Sequence, residues 1–176
     1  MRYLLTILTI FTLLGTGCDK KTTESEETGD LMEYSTINVK TATEYFSFAS
    51  NSGSTDDTSE HDMVFYSSDW LPPGSPSTIK DPRFKIKEGL SAAVINTKNL
   101  DDVTEVPNSA NFVTNFISEF GEWYTQNSQT FLIIPQEKVY VVNTPDGKFP
   151  AFQIKSYYDD RGVSGVYTIE WKYLNY

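Results

Sequence analysis

The 176-residue chain has one cysteine, one histidine and three methionines, and its 14 basic residues are outnumbered by 24 acidic ones. With Cys18 alone, no disulfide can form within the chain. The sequence contains no zinc-site spacing, no glycine-rich phosphate loop and no Ser-His-Asp candidate, so these catalytic and binding classes are excluded. An acidic chain would be repelled by the phosphates of nucleic acids, which argues against them as partners.

The N-terminal apolar run follows Arg2 and continues through Leu14, which is too short for the roughly 20 residues that span a bilayer. It ends in Gly15-Thr16-Gly17-Cys18, a small-residue site typical of secretory signals. This site resembles the lipobox of bacterial lipoproteins, whose cysteine is acylated and becomes the N-terminus, although Leu14 lies one position further from the cysteine than usual. We therefore predict a signal peptide at residues 1–17 and lipidation of Cys18. The alternative is an ordinary secretory signal with an incidental thiol.

The segment after the signal, residues 18–33, is polar and has few side chains that could pack. Such a composition cannot bury enough apolar surface to offset the entropy of ordering, so it predicts a disordered acidic tether. Its cluster Ser25-Glu26-Glu27 is similar to signals that export some lipoproteins to the outer face of the cell. Removal of Arg2 with the signal leaves 13 basic and 24 acidic residues, a net charge near −11. We expect a lipid-anchored protein of the outer membrane, exposed at the cell surface.

The remaining chain, residues 34–176, is long enough for one domain with its own core. Its clearest pattern is C-terminal, where Val139–Val142, Phe149–Tyr158 and the alternating segment Tyr167–Tyr173 predict three antiparallel strands. Pro145-Asp146-Gly147 predicts a turn between the first two, because Pro presets φ and Gly accepts a positive φ. The residues predicted to lie in or near the core are Phe152, Ile154, Tyr167, Ile169, Trp171 and Tyr173.

Shorter patterns predict the other strands. Residues 51–60 and 99–108 are predicted to be loops, and Trp70–Pro76 interrupts the pattern with three prolines and a glycine. About eight to ten short strands separated by Gly or Pro predict an all-β domain of antiparallel sheets with at most one short helix. The further predicted strands are 35–40, 45–49, 62–66, 83–87, 91–97 and 131–134.

The one helical signal is the four-residue spacing of Phe112, Phe116 and Phe120. Asn108-Ser109 precedes it as a candidate N-cap, and Gly121 follows it as a candidate C-terminal residue. An irregular aromatic loop is the alternative.

Several of these segments are similar to one known family, the HmuY-like haem-binding lipoproteins. Residues 61–65, His-Asp-Met-Val-Phe, resemble the Trp-Asp-aliphatic-small-Phe strand of that family. Residues 138–148 with Ser156-Tyr157-Tyr158 resemble its C-terminal hairpin, and residues 167–173 its final aromatic strand. The resemblance covers nearly the whole chain. It implies twisted antiparallel sheets and a non-enzymatic surface lipoprotein that binds haem or a related planar ligand for iron acquisition. The implied partners are haem or a haem-carrying protein and an outer-membrane transporter.

The resemblance also implies two axial iron ligands, His or Met, on loops at one end of the fold, and here the chain departs from the pattern. His61 stands where the family has its strand Trp, and Met63 is the only methionine well inside the domain. Residues two apart on a strand lie on the same face, about 6 to 7 Å apart, whereas axial ligands approach iron from opposite faces. The family's ligands are therefore not transferred to this chain. Tyr124 could ligate ferric iron, although its spacing does not single it out.

The candidate ligand-binding residues are His61, Trp70, Trp123 and Tyr124. The three aromatic residues adjoin Pro/Gly-rich or polar segments and could line a flat apolar or sugar-binding surface, with core or loop-anchoring roles as the alternative. His61 beside Asp62 resembles half of an acid/base pair but lacks a nucleophile and an orienting group, so a strand-edge histidine without function is the alternative.

No catalytic residue and no metal site is predicted. Acidic pairs such as Asp101-Asp102 lack the spaced ligands of a calcium loop and are interpreted as solvated loop charge. The alternative function is that of a structural or partner-binding surface lipoprotein that keeps the fold without a haem site.

Overall fold

The computed structural model describes residues 29–118 and 121–175. The predicted signal peptide, Cys18 and most of the predicted tether lie outside these residues. The structure is all-β and antiparallel, with short 3-10 turns at Leu100–Asp102 and Ser109–Asn111, and no described helix has the length and apolar character of a membrane span. The described strands are β1 (Met32–Ser35), β2 (Glu44–Ser47), β3 (Ser52–Ser54), β4 (Met63–Trp70), β5 (Ile79–Ile86), β6 (Ser91–Ile95), β7 (Val113–Thr114), β8 (Tyr124–Gln126), β9 (Ile133–Pro135), β10 (Val139–Asn143), β11 (Phe149–Tyr158) and β12 (Ser164–Leu174).

Strand pairing in the described ranges produces three sheets. The largest has the order β1-β12-β11-β10-β6-β7, the second has the order β3-β2-β4-β5, and β8 pairs with β9 as a hairpin. The predicted C-terminal meander is confirmed: β10, β11 and β12 are adjacent, and Gly147 adopts a φ of 76° in the turn after β10. Adjacent pairing follows from the short connections, because a tight turn joins only antiparallel neighbours.

The two larger sheets face each other across an aromatic core. Trp171 of β12 contacts Phe46 and Phe48 of the second sheet, with ring centroids 6.4 and 5.0 Å apart. Phe84 of β5 packs edge-on against Phe152 of β11 at 5.5 Å. Each aromatic ring buries a large area, which is how a chain without disulfides can sustain such a core. Of the predicted core residues, Phe152, Ile154, Tyr167, Ile169 and Trp171 are buried, and Tyr173 is half-buried against the cluster.

A second, smaller apolar cluster covers the outer face of the six-stranded sheet. Val139 and Val141 of β10 pack there under Leu100 and Val103, which come from the first 3-10 turn and the residue after it. Both faces of β10 are therefore buried. This explains why its sequence is a continuous apolar run rather than an alternating one.

The helical interpretation of the Phe112, Phe116 and Phe120 spacing is wrong for the described residues, and the aromatic-loop alternative is right. A 3-10 turn capped by the side chain of Asn108 is followed by β7, and Asn115 turns the chain at a φ of 56°. Phe116 packs on Phe84 in the main core, whereas Phe112 packs on Phe149 in the outer cluster. The two rings thus serve different cores, which one helix face could not do; Phe120 lies outside the described residues.

The first strand lies earlier than the predicted range 35–40. β1 begins at Met32, inside the range predicted as tether, and pairs with β12. After β1 the backbone N–H of Ile37 donates to the Glu44 carboxylate, which also accepts the Tyr34 hydroxyl. These bonds break the regular pairing after Ser35, and the chain stays beside β12 through single backbone hydrogen bonds from Thr36 and Val39, with Ile37 exposed.

Other boundaries also differ from the sequence predictions. β3 forms inside the predicted loop 51–60, where a Cβ on Gly53 would collide with the Glu44 carboxylate and the Tyr34 hydroxyl. β5 is longer than predicted and contains Pro82, which is tolerated because β5 is the edge strand of its sheet. β8 is not predicted from the sequence, because its three residues are too few to show an alternation of apolar and polar side chains.

Candidate functional site

The strand β4 runs between two open cavities at opposite ends of the described fold. Its register with β5 pairs Met63 with Ile86 at one end and Trp70 with Ile79 at the other. Seven residue steps of about 3.3 Å separate the strand ends by roughly 23 Å. The β10–β11 turn lies at the Met63 end and the β11–β12 turn at the Trp70 end. The candidates His61 and Trp70 are therefore not brought together.

The cavity at the Trp70 end, here called the Trp70 pocket, has a volume of about 740 Å³. That volume falls within the range of small-molecule sites, which are mostly apolar clefts of about 300 to 1,000 Å³. None of the described residues that line the pocket is acidic. Its walls are formed by Trp70, Ile79, Phe131, Ile133, Tyr157 and Tyr158.

Phe131 is presented to solvent by the loop between β8 and β9. Its side chain is 70% exposed, and its backbone has a φ of 58°. A bulky residue in this left-handed region is a backbone outlier, of the kind that clusters at binding sites. The loop's hydrogen bonds hold it there: Phe131 N–H donates to the Asn127 carbonyl at 2.8 Å, and Asn127 N–H donates to the Leu132 carbonyl at 2.9 Å. An aromatic ring is thus held at the mouth of the pocket.

Tyr157 and Tyr158 both border the pocket although consecutive strand residues normally point to opposite faces. Register shifts before and after Ser156 in the β11–β12 pairing distort the strand at this point. The Tyr158 hydroxyl accepts the Ile133 backbone N–H at 2.8 Å and so ties β11 to the β8–β9 hairpin. The Tyr157 hydroxyl is buried beside the Ser67 hydroxyl, with no hydrogen bond of normal geometry among the described residues, and burial raises the pKa of this phenol to about 12.

Two lysines supply the charge of the Trp70 pocket. Lys40 donates from Nζ to Ser164 Oγ at 2.6 Å, and this ammonium lies 6.0 Å from the centre of the Tyr157 ring. Lys80 pairs with Asp69 at 2.8 Å on the exposed rim. A pocket with aromatic walls and two ammonium groups suits an apolar ligand that carries negative charge.

Trp123 and Tyr124 lie in the core behind this pocket. The Trp123 ring centre is 5.8 Å from that of Tyr157, and its indole N–H donates to the Pro82 carbonyl at 3.0 Å. The Tyr124 hydroxyl donates to buried Asp81 at 2.7 Å. Burial, followed by this hydrogen bond to Asp81, raises the pKa of Tyr124. Both residues support the pocket wall from the inside, the arrangement expected of core aromatics.

The cavity at the other end, here called the His61 groove, has a volume of about 700 Å³ and a different lining. The His61 ring bonds through Nδ1 to the Ser59 carbonyl at 2.8 Å and contacts the Tyr45 ring edge-on at 5.0 Å. Asp62 accepts the Phe48 backbone N–H at 2.8 Å and so fixes the chain between β2 and β4. The acidic residues that line the groove are Glu60, Asp62, Glu88 and Asp146.

This acidic groove would repel an anionic ligand. No described cluster of three or more His, Cys, Asp or Glu side chains is arranged to hold a metal ion. Of the candidate residues, Trp70 alone lines the aromatic pocket. Sequence reasoning missed Lys40, Lys80 and Phe131, because no local pattern marks them. Tyr157 and Tyr158 were assigned to the C-terminal hairpin but not to a binding site.

The His and Met side chains of the described residues all lie away from the Trp70 pocket. His61 is at the opposite end, Met63 is buried in the core, and Met32 packs against the same core from β1. The pocket residues therefore fit a planar apolar group with carboxylates, but they do not include the His or Met pair expected to ligate an iron.

Comparison with known proteins gives one family. The family model described as HmuY protein matches residues 39–171. No curated protein sequence matches this chain.

Several solved structures share the fold at low sequence identity. Apo PinO from Porphyromonas gingivitis aligns with a TM-score of 0.55 at 11% identity, over 84% of this chain and 99% of PinO. A Bacteroides fragilis protein proposed to be a lipoprotein aligns at 0.57 with 13% identity, over 83% of this chain and 90% of its own. A Bacteroides vulgatus protein proposed to be HmuY-like and haem-binding aligns at 0.53 with 16% identity, over 80% of this chain and 90% of its own.

Proposed function

Because the chain belongs to the HmuY family, we propose that it is a non-enzymatic surface lipoprotein that binds haem or a related planar ligand in the Trp70 pocket. The ligand would serve iron acquisition and pass to an outer-membrane transporter. The Bacteroides vulgatus protein of the same fold, proposed to bind haem, supports a ligand of this class.

The observation that carries the proposal is the chemistry of the Trp70 pocket. In a chain of net charge −10, its described lining contains two lysines and no carboxylate. Haem is a flat apolar ring with two carboxylates on one edge. Rings such as Trp70 and Phe131 can stack on its face, and the Lys40 ammonium can pair with one of its carboxylates. Lys80 would pair with the other by exchanging its bond to Asp69.

The anchor belongs to the same proposal. Acylation of Cys18 would hold the domain at the outer membrane on a flexible acidic tether of residues 18–31, since β1 begins at Met32. Mass spectrometry of protein purified from native membranes should find acyl chains on an N-terminal Cys18. A mature N-terminus at another residue, or an unmodified thiol, would contradict the anchor.

A haem titration tests the pocket. Residues 19–176 contain every described strand and lack the Cys18 thiol, which could bind haem by itself. We expect micromolar or tighter binding, seen as a shifted haem absorbance band and quenched tryptophan fluorescence. Trp70→Ala should weaken binding, whereas His61→Ala, at the opposite end, should leave it unchanged.

The second candidate function is a partner-binding surface lipoprotein without a haem site. The absence of a His or Met pair near the pocket favours it. So does the run of exposed apolar side chains at Leu71, Phe131, Leu132 and Ile134, which suits a protein surface. If the absorbance remains that of free haem, haem capture fails, and a pull-down from outer-membrane extracts becomes the measurement for this candidate.

A further inference from the structure

We propose that the Trp70 pocket holds a tetrapyrrole by its ring and its carboxylates, with no protein ligand to the iron, so that iron-free protoporphyrin binds as tightly as haem. This inference rests on the proposed function and defines the ligand class of the same site: carboxylated tetrapyrroles, irrespective of the metal.

The described side chains that bind iron most strongly, His and Met, lie away from the Trp70 pocket. The whole sequence offers one histidine, three methionines and one cysteine. His61 lies at the far end of β4, roughly 23 Å of strand away from the pocket end. Met63 is fully buried among core aromatics, and Met32 pairs with Trp171, toward the His61 end of β12. The other two, Met1 and Cys18, belong to the predicted signal and anchor. None of the three described side chains, His61, Met63 and Met32, lines the pocket.

The tyrosines of the pocket are the remaining oxygen ligands. Iron binds the phenolate form of tyrosine, as in catalase. The Tyr157 phenol is buried, and its pKa is raised to about 12, so it is neutral near pH 7. The Tyr158 oxygen already accepts the Ile133 N–H at 2.8 Å, a contact that fixes the β8–β9 hairpin against β11. Neither oxygen is arranged for a bond to iron.

The aromatic rings and the Lys40 ammonium of the pocket would contact the ring and the carboxylates of a ligand. Haem and iron-free protoporphyrin have both of these in common. Phe131 is held exposed by its loop, and Trp70 and Tyr158 complete an aromatic wall. Lys40 has no described carboxylate within ion-pair distance, so its ammonium is available to a ligand carboxylate. The face of the Tyr157 ring lies beside that ammonium, 6.0 Å from its nitrogen, and closes the pocket behind it. None of these contacts involves the metal.

The experiment compares two ligands on one protein. Residues 19–176 are titrated with ferric protoporphyrin IX and with iron-free protoporphyrin IX, followed by tryptophan quenching and, for the second ligand, by porphyrin fluorescence. We expect dissociation constants that agree within about threefold. Tyr158→Phe keeps the aromatic wall and removes the partly exposed phenol oxygen, but it also frees the Ile133 N–H, so it should weaken both ligands alike and leave the position of the absorbance band of bound haem unchanged.

The possible results separate the inference from the function on which it rests. Haem that binds about tenfold or more tightly than iron-free protoporphyrin, or a haem spectrum that changes in Tyr158→Phe, would overturn the inference while the proposed function stands. Failure of both ligands to bind would overturn the proposed function itself. Equal binding with an unchanged spectrum supports both.

Discussion

The Trp70 pocket and the His61 groove have nearly equal volumes, about 740 and 700 Å³, but opposite chemistry. The pocket has aromatic walls, two lysines and no acidic residue in its described lining, whereas four carboxylates line the groove. The only histidine of the chain lies in the groove. A single histidine, a residue type that often ligates iron, is therefore a weak guide to a binding site. The charge and the apolar surface of a cavity decide which molecule can enter it.

The two ends also differ in the backbone of their loops. At the His61 end, Asp62 accepts a backbone N–H and Thr144 donates to Asp146, so side chains hold the chain in place. At the Trp70 end, Phe131 is the one bulky residue of the described chain with a left-handed φ. Such a backbone outlier is a feature that clusters at binding sites.

The largest expected effect concerns the core between the two ends. Trp171→Ala should lower the free energy of unfolding by about 3 to 5 kcal/mol, because a fully buried indole leaves a large cavity. Trp70→Ala, at the half-buried pocket wall, should cost much less stability and act on ligand binding instead. Urea denaturation measures both. A loss under about 1 kcal/mol for Trp171→Ala would contradict the packing of β12.

Asp81, behind the Trp70 pocket, and Asp62, in the His61 groove, each accept hydrogen bonds that hold the neighbouring chain in place. Asp81 is fully buried and accepts Tyr124 Oη at 2.7 Å and Arg83 Nε at 2.6 Å. Asp81→Ala should cost about 3 kcal/mol or more, because it removes a fully buried carboxylate that accepts hydrogen bonds from both Tyr124 and Arg83. Asp62→Ala removes one bond to the Phe48 N–H and should cost about 1 to 2 kcal/mol. Equal losses in urea denaturation would contradict this difference.

Charge reversal at each end tests the electrostatic part of the comparison. Lys40→Glu combined with Lys80→Glu should weaken tetrapyrrole binding about tenfold or more, because two attractive charges become repulsive. Lys87→Glu adds a carboxylate to the His61 groove and should leave binding unchanged. Fluorescence titration of the variants at low salt measures the effect. An equal loss in Lys87→Glu would show that net charge, rather than the pocket, controls binding.

The smallest effect at neutral pH should come from Tyr157→Phe. Removing a buried hydroxyl without a hydrogen-bond partner costs little and can be neutral, so the free energy of unfolding should change by less than about 1 kcal/mol.

The same variant should matter more in alkali. Burial raises the Tyr157 pKa from 10.0 to about 12 in the folded state. The neutral phenol therefore contributes stability that is fully present below pH 10 and is lost as the pH rises towards 12. Denaturation between these pH values should show a shallower decline for Tyr157→Phe than for the parent protein. Parallel declines would mean that other tyrosines account for the alkaline loss.

Much of the fold could be predicted from local sequence. β11 was predicted at its observed bounds, and the turn containing Gly147 was placed correctly, because strand period and turn chemistry depend on neighbouring residues. The failures had non-local causes. Phe112 and Phe116 mimic a helix period but pack into different cores. β1 forms where β12 offers an edge, which the residues around Met32 do not reveal.

The sequence by itself determined that this chain is an all-β domain with an aromatic core, since alternation, turns and aromatic content are properties of the chain read in order. Only the tertiary structure decided the site. Lys40, Lys80, Phe131 and Tyr157 are far apart in sequence and meet because the two larger sheets and the β8–β9 hairpin converge at one end. The same packing put Trp123 and Tyr124 behind the pocket wall and His61 at the other end of β4. A binding pocket depends on these long-range contacts, and no local period encodes them.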